Sequence, residues 1–352
     1  MPIQFGIFDH IEMSGDQGVE ALYESRIAYL KRAEAAGFYG FHLAEHHGHR
    51  LSASPSASVF LAALARETTT LKLIPTVVCL PLHHPVRVFE DMAMLDVLSH
   101  GRLELGLGKG ITKFEHLQFG HDPEEASARA REISAMLLEA WETGIISSAD
   151  SDFYDFMEMK LPFEPVQHPY PPLWTAGNVE VAGRGGHNFV TTGPVTAAMR
   201  ARYDELRAAS REEPGHQNPH VKDPLIGQTQ TVVIAPTEAE AKKILDRAWS
   251  YYIESITRAR GTVPPHLQTE LPVMDNPVAQ AVLERDPLES GMAVAGTVEQ
   301  VRDYYVEQAR LGHANYFVLM TPVGDMTPEE GNRTLDAFAE HVIPAVREAV
   351  DE

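Results

Sequence analysis

A chain of 352 residues, 44% hydrophobic and 22% charged, has the composition of a globular protein, and 29 Lys and Arg against 50 Asp and Glu leave a net charge of −21. Such a surface repels nucleic acid and anionic membranes, so neither is an expected partner. One cysteine, Cys79, excludes an internal disulfide; residues 1–5 form no basic, apolar leader and no run nears the ~18 apolar residues of a bilayer span, so a cytoplasmic location is expected.

Eight short apolar runs follow in chain order, at residues 5–8, 39–44, 71–80, 103–107, 172–176, 189–192, 229–235 and 316–320, with helical patterns between them. Near-continuous apolar strands alternating with helices predict a parallel sheet covered on its outer face. Eight is the number at which such a sheet closes. Length alone suggests two or three domains of ~150 residues, but barrels run longer as one unit. A doubly wound open sheet would carry a glycine-rich fingerprint after its first strand, and none follows Phe8. The expected fold is a TIM-type (β/α)8 barrel, a single domain over residues 1–352.

The helices announce themselves locally. Ile133, Met136, Leu137, Ala140 and Trp141 recur at helical spacing, with Gly144 placed as the C-terminal cap. Asp122, Thr237, Thr297 and Thr327 each precede an acid or amide three positions on, the pattern that satisfies free backbone donors at a helix start. Two stretches exceed a minimal barrel. Residues 145–171 are polar, then aromatic, then proline-rich, and residues 260–292 hold many prolines and charges with little periodicity. Both read as insertions, the second as a lid.

The first candidate site follows the second run, where Glu45, His46, His47 and His49 crowd together. Three readings stand: a hydrogen-bonded loop with one packed histidine, a metal site, or a general acid/base with Glu45 as its orienting partner. Adjacent histidines on an extended backbone point in opposite directions, so His46 and His47 do not readily share one metal. Position at the C-terminal end of a barrel strand favours His46 as acid/base. The fourth run ends Gly106-Leu107-Gly108-Lys109-Gly110. These glycines would let backbone approach a ligand while Lys109 supplies a cation for phosphate, though glycines at strand ends also make ordinary turns. His83 and His84, in a loop flanked by Pro81 and Pro85, read as loop or core histidines rather than ligands, and Cys79 as a buried structural thiol.

Several segments together resemble the bacterial luciferase-like flavin monooxygenases. They are Leu43-Ala44-Glu45-His46-His47, Leu80-Pro81-Leu82-His83-His84-Pro85-Val86-Arg87, Leu95-Asp96-Val97-Leu98-Ser99-His100-Gly101-Arg102-Leu103-Glu104-Leu105-Gly106, Gln167-His168-Pro169-Tyr170-Pro171-Pro172-Leu173-Trp174 and Gly296-Thr297-Val298-Glu299-Gln300-Val301. The resemblance implies a TIM-type barrel with an insertion, a homodimer, and reduced FMN delivered by a separate flavin reductase. It matches His46 to the family's catalytic histidine and Lys109 to a phosphate-binding arginine. Thr76 and Val77 match the residues against the isoalloxazine, and Gly108 a small position near the ring's oxygen-reacting carbon; Gly110 shares that loop. The phosphate loop after the fifth strand is short and lacks a hydroxyl here, leaving Gly177, Asn178 and backbone amides as its expected substitutes.

The expected function is an FMN-dependent two-component monooxygenase that uses reduced flavin and O2 on a small organic substrate. Three alternatives stand beside it: a deazaflavin-dependent hydride-transfer enzyme of the same superfamily, a metal-dependent barrel hydrolase, and a flavin-binding protein without turnover.

Overall fold

The computed structural model describes residues 3–15, 18–213, 215–258 and 285–351. Strand β1 (Gln4–Asp9) leads through α1 (Val19–Ala35) to β2 (Gly40–Leu43) and α2 (Ala57–Glu67). Then come β3 (Lys72–Pro75), β4 (Val78–Cys79), α3 (Pro85–Leu98), β5 (Leu105–Gly108), α4 (Lys113–Gln118) and α5 (Ala126–Thr143). The hairpin β6 (Ile145–Ile146) and β7 (Met159–Lys160) precedes β8 (Leu173–Ala176), α6 (Val179–Gly185), β9 (Asn188–Thr192) and α7 (Ala197–Ser210). The chain ends with β10 (Ile226–Ile234), α8 (Glu238–Arg258), β11 (Ala293–Gly296), α9 (Val298–Leu311), β12 (Tyr316–Met320), α10 (Pro328–Ala337) and α11 (Ile343–Asp351).

The main sheet is parallel and runs in the order β3-β2-β1-β12-β10-β9-β8-β5-β4. Its two ends, β3 and β4, are halves of one chain stretch, and a parallel bridge from Leu73 of β3 to Leu103, just ahead of β5, closes the seam. The result is a nearly closed barrel with helices between the strands, as the alternation of apolar runs predicts.

Three details depart from the sequence reading. The run at 71–80 is two strands, broken at Thr76–Val77, whose peptide bond is cis. Strand β10 begins at Ile226, earlier than expected. Its buried Gln228 and Gln230 interrupt the apolar pattern yet are satisfied, Gln228 by Gln230 at 2.9 Å and Gln230 by the Gly291 carbonyl at 2.7 Å. Strand β11 is additional, pairing with Thr231–Ile234 of β10. Its Ala-Val-Ala-Gly sequence carries too little apolar bulk to stand out.

The local signals hold at the helix ends. Gly144 caps α5 at φ 73°, and Thr297 and Thr327 each form a complete capping box. Asp122 caps a short 3-10 turn, accepting from the Glu124 N–H, and α5 starts one turn later. The insertion at 145–171 contains the β6–β7 hairpin and is tied to α3 through Asp96, which accepts from the Val166 and Gln167 backbone at 2.6 and 3.0 Å. The expected lid at 260–292 lies for the most part outside the described residues. Among the described residues no helix is long and apolar enough to cross a membrane.

Candidate active site

The chain leaves β2 at Leu43 still extended, so its side chains continue to alternate. Glu45 and His47 take one side. The Glu45 Oε1 accepts from His47 Nε2 at 3.0 Å and from His83 Nε2 at 2.7 Å, and its Oε2 accepts from the Cys79 N–H at 3.3 Å. Burial pushes the Glu45 carboxyl upward, but the hydrogen bonds from His47 and His83 outweigh it and hold the group below its ordinary range. Burial pulls His83 down, and its bond to Glu45 more than reverses that. Cys79 is buried; burial, then the Glu45 and Glu115 charges, raise its thiol well above the usual value, so it is no ready nucleophile.

His46 takes the other side and has a different carboxylate. Its Nδ1 lies 3.2 Å from Glu115 Oε1, on α4. The same oxygen accepts from the His47 backbone N–H at 2.9 Å and meets His49 Nε2 at 3.4 Å, while Thr112 donates to the other oxygen. Burial pushes Glu115 upward, yet bonds from His46, His49 and Thr112 hold its carboxyl far below the ordinary range. With Nδ1 held by a carboxylate, Nε2 is the ring nitrogen left over, and it has no hydrogen-bond partner among the described residues. The His10 ring stacks on His46 at 5.6 Å and is kept neutral by burial first, then by the charges of His46 and His49.

The expectation that Glu45 orients His46 is therefore corrected. Neighbours on an extended strand diverge, so Glu45 serves His47 and His83 instead. His83 is a loop histidine, as expected, and its ring is tied to Glu45. Sequence reasoning missed Glu115 and His10. His10 directly follows β1, so the strand-end rule that singled out His46 applies to it as well. Nothing local marks Glu115.

The expected cofactor residues lie at the same end of the barrel. Thr76 is buried, with its hydroxyl on His42, and Val77 is half-buried beside it. Gly106 and Gly108 have a packing cause: a Cβ on Gly106 would collide with the Pro75 carbonyl oxygen, and one on Gly108 would lie 2.5 Å from Val77 Cγ2. The space these glycines leave is thus filled by the broken strand, not held open for a ligand. Gly110 sits at φ 78°, a left-handed turn that glycine adopts freely. Lys109 is exposed and makes no ion pair among the described residues. Strands β5 and β8 pair Leu105 with Leu173 and Gly106 with Trp174, so Lys109 and Gly177 follow the C-terminal ends of neighbouring strands. The Gly177 N–H is committed to the Val190 carbonyl at 2.8 Å, and Asn178 Oδ1 caps α6 by accepting from Val181 N at 3.1 Å. Of the three, only Lys109 has no such commitment among the described residues. An apolar surface at Val77 fits a flavin ring, and the exposed Lys109 cation fits its phosphate.

The histidines also form two groups whose ligand atoms lie within 4.8 Å of one another, Glu45 with His47 and His83, and His46 with His49 and Glu115. His46 and His47 fall in different groups, as strand alternation requires.

Comparison with known proteins adds five findings. A family model described as luciferase-like monooxygenase matches residues 3–315. A Sinorhizobium fredii protein, y4wF, is 31% identical over 333 residues, 92% of each chain. The oxygenase component of a flavin-dependent trigonelline monooxygenase from Acinetobacter baylyi is 29% identical over 197 residues, 54% of each chain. Two solved structures share the fold at a TM-score of 0.71: the oxygenating constituent of 3,6-diketocamphane monooxygenase from Pseudomonas putida, in complex with FMN (17% identity, 97% and 98% covered), and an F420-dependent secondary alcohol dehydrogenase (19% identity, 98% and 99% covered).

Proposed function

The chain belongs to the luciferase-like monooxygenase family and is an oxidoreductase, and from that premise we propose that it is the oxygenase of a two-component, FMN-dependent monooxygenase. The observation that carries the reading is the His46–Glu115 pair at the barrel mouth, which holds one imidazole nitrogen and frees the other. The chain is one barrel domain. Thr76 and Val77 bed the flavin ring, with Gly108 and Gly110 beside it, and Lys109 meets the phosphate next to Gly177 and Asn178. Reduced FMN, when bound, supplies the electrons with which O2 is activated. His46 moves a proton at Nε2, while Glu115 on Nδ1 fixes its tautomer and orientation. Glu45 is a positioning residue that locks the loop through His47 and His83. The small organic substrate enters the same mouth, and the residues around it exclude water.

A flavin reductase is the transient partner, a reading supported by the trigonelline oxygenase component's two-part naming. A second copy of this chain is the other partner. Val59 on α2 and Met94, Val97 and Leu98 on α3 are exposed apolar side chains on neighbouring helices, which favours a homodimer there. The fold likeness to an F420-dependent enzyme keeps a deazaflavin hydride-transfer enzyme as the second reading.

The test is absorbance titration with FMN, reduced FMN and a deazaflavin, followed by mixing of the reduced complex with O2 and detection of peroxide and oxygenated product. Tight binding of the deazaflavin alone would replace the reading by the second one. Binding without oxygen consumption would leave a flavin-binding protein, and stoichiometric zinc in elemental analysis would favour the metal-dependent alternative.

A further inference from the structure

Beneath Thr76, inside the barrel, buried polar groups form one hydrogen-bonded row. His42 on β2 is fully buried, with Nδ1 2.8 Å from the Thr76 hydroxyl and Nε2 2.9 Å from the Tyr316 hydroxyl on β12. The Thr76 hydroxyl lies 3.2 Å from the Ile74 carbonyl oxygen, which can only accept. Tyr316 is held in place because Gly6 has no Cβ to overlap its hydroxyl.

One arrangement of protons satisfies the whole row. Burial lowers His42 to about 3, so its ring is neutral and carries a single N–H. The buried Tyr316 proton needs an acceptor, and His42 Nε2 is its hydrogen-bond partner. The imidazole proton is then on Nδ1 and goes to Thr76, whose own proton goes to Ile74. In the opposite tautomer the Tyr316 proton would be buried with nothing to receive it, the costly case. Thr76 therefore has only a lone pair left to offer.

We infer that His42 is a positioning residue that fixes the Thr76 hydroxyl as an acceptor, so that the site favours reduced over oxidised flavin. The inference rests on the proposed bedding of the flavin ring against Thr76 and Val77. The central nitrogen at the reacting edge of a flavin carries N–H when reduced and a bare lone pair when oxidised. An acceptor-only oxygen pairs with the first and opposes the second. A deazaflavin has carbon at that place and gives no such contrast.

The experiment is spectroscopic titration of both redox states of FMN, the reduced state anaerobically, for the parent protein, Thr76→Val, Thr76→Ser and His42→Leu. Thr76→Val should lower the preference for reduced FMN roughly three- to tenfold, the worth of one neutral hydrogen bond. At tenfold, the two-electron potential of bound FMN falls by about 30 mV. His42→Leu should shift it the same way, because the freed hydroxyl can turn its proton outward, whereas Thr76→Ser keeps the parent preference. With a deazaflavin, Thr76→Val should leave the ratio unchanged. Thr76→Val is nearly isosteric, so the test does not depend on whether His42→Leu folds. If Thr76→Val binds FMN with the parent's ratio, or Thr76→Ser loses as much as Thr76→Val, the inference is overturned while the flavin reading stands. If the parent binds FMN in neither state, the flavin reading fails and takes the inference with it.

Discussion

His46 Nδ1 and Glu115 Oε1 stand 3.2 Å apart although 69 residues of chain separate them. The carboxylate arrives on α4, behind β5, and it also accepts from the His47 backbone N–H, so one group sets both the ring and the loop that bears it. His46→Ala should cut oxygenation ~100- to 10,000-fold, the usual span for general acid/base work. Glu115→Gln should cost a smaller part of that, ~10- to 100-fold, since Gln can still accept one N–H but brings no charge. Glu45→Gln should act mainly on melting temperature. Turnover, peroxide release and thermal denaturation measured side by side decide this. A Glu45→Gln variant that loses turnover as steeply as Glu115→Gln, at unchanged stability, would reverse the two assignments.

Lys109 should discriminate flavins by their phosphate. A charge-assisted contact is worth ~1.5–3 kcal/mol, so Lys109→Ala should weaken FMN roughly ten- to a hundredfold and riboflavin far less. Equal losses would move the phosphate elsewhere. Arg184, 3.6 Å from Glu180 and mostly exposed, is then the next cation to replace.

Gly106→Ala should destabilise the barrel by ~1–3 kcal/mol or more, because the colliding atom is the Pro75 carbonyl oxygen and backbone cannot swing aside. Gly177→Ala is the control. It meets nothing within 4 Å and is penalised only by its φ of 73°, worth ~1 kcal/mol. Urea denaturation of both variants compares them, and equal costs would refute the packing explanation.

Glu12 should make the protein less stable as pH rises. Burial raises its carboxyl from 4.5 to about 7, with bonds from Ser255 and Gly324 offsetting only part. Between those two pH values the folded state holds a proton that the unfolded state has lost, so stability falls with rising pH there and is flat above about 7. Glu12→Gln should remove that slope and gain up to ~3 kcal/mol at pH 8 relative to its effect at pH 4. Identical differences at the two pH values would count against it.

Light scattering should give twice 38.9 kDa for the parent at micromolar concentration. Val97→Asp, on the exposed apolar face of α3, should shift it toward monomer. A parent that is monomeric throughout removes the proposed interface.

Much of this molecule was legible in its sequence because local physics decided it. Apolar runs alternating with capped helices announced the parallel barrel, and the complete capping boxes at Thr297 and Thr327 form just as their spacing requires. Strand alternation separated His46 from His47, and applied one residue earlier it would also have separated Glu45 from His46. The short strand β11 left no trace because Ala293 to Gly296 have little apolar bulk to pattern. Tertiary structure alone decided the partners: Glu115 for His46, His83 for Glu45, and Thr76 with Tyr316 for His42. Each of these pairs joins different strands, loops or helices brought to one point by closure of the barrel, a long-range event with no local signature. The glycines of β5 show the same division. Their presence could be read from the chain, but that Gly106 and Gly108 make room for Pro75 and Val77 rather than for a ligand follows only from how two strands meet at the seam.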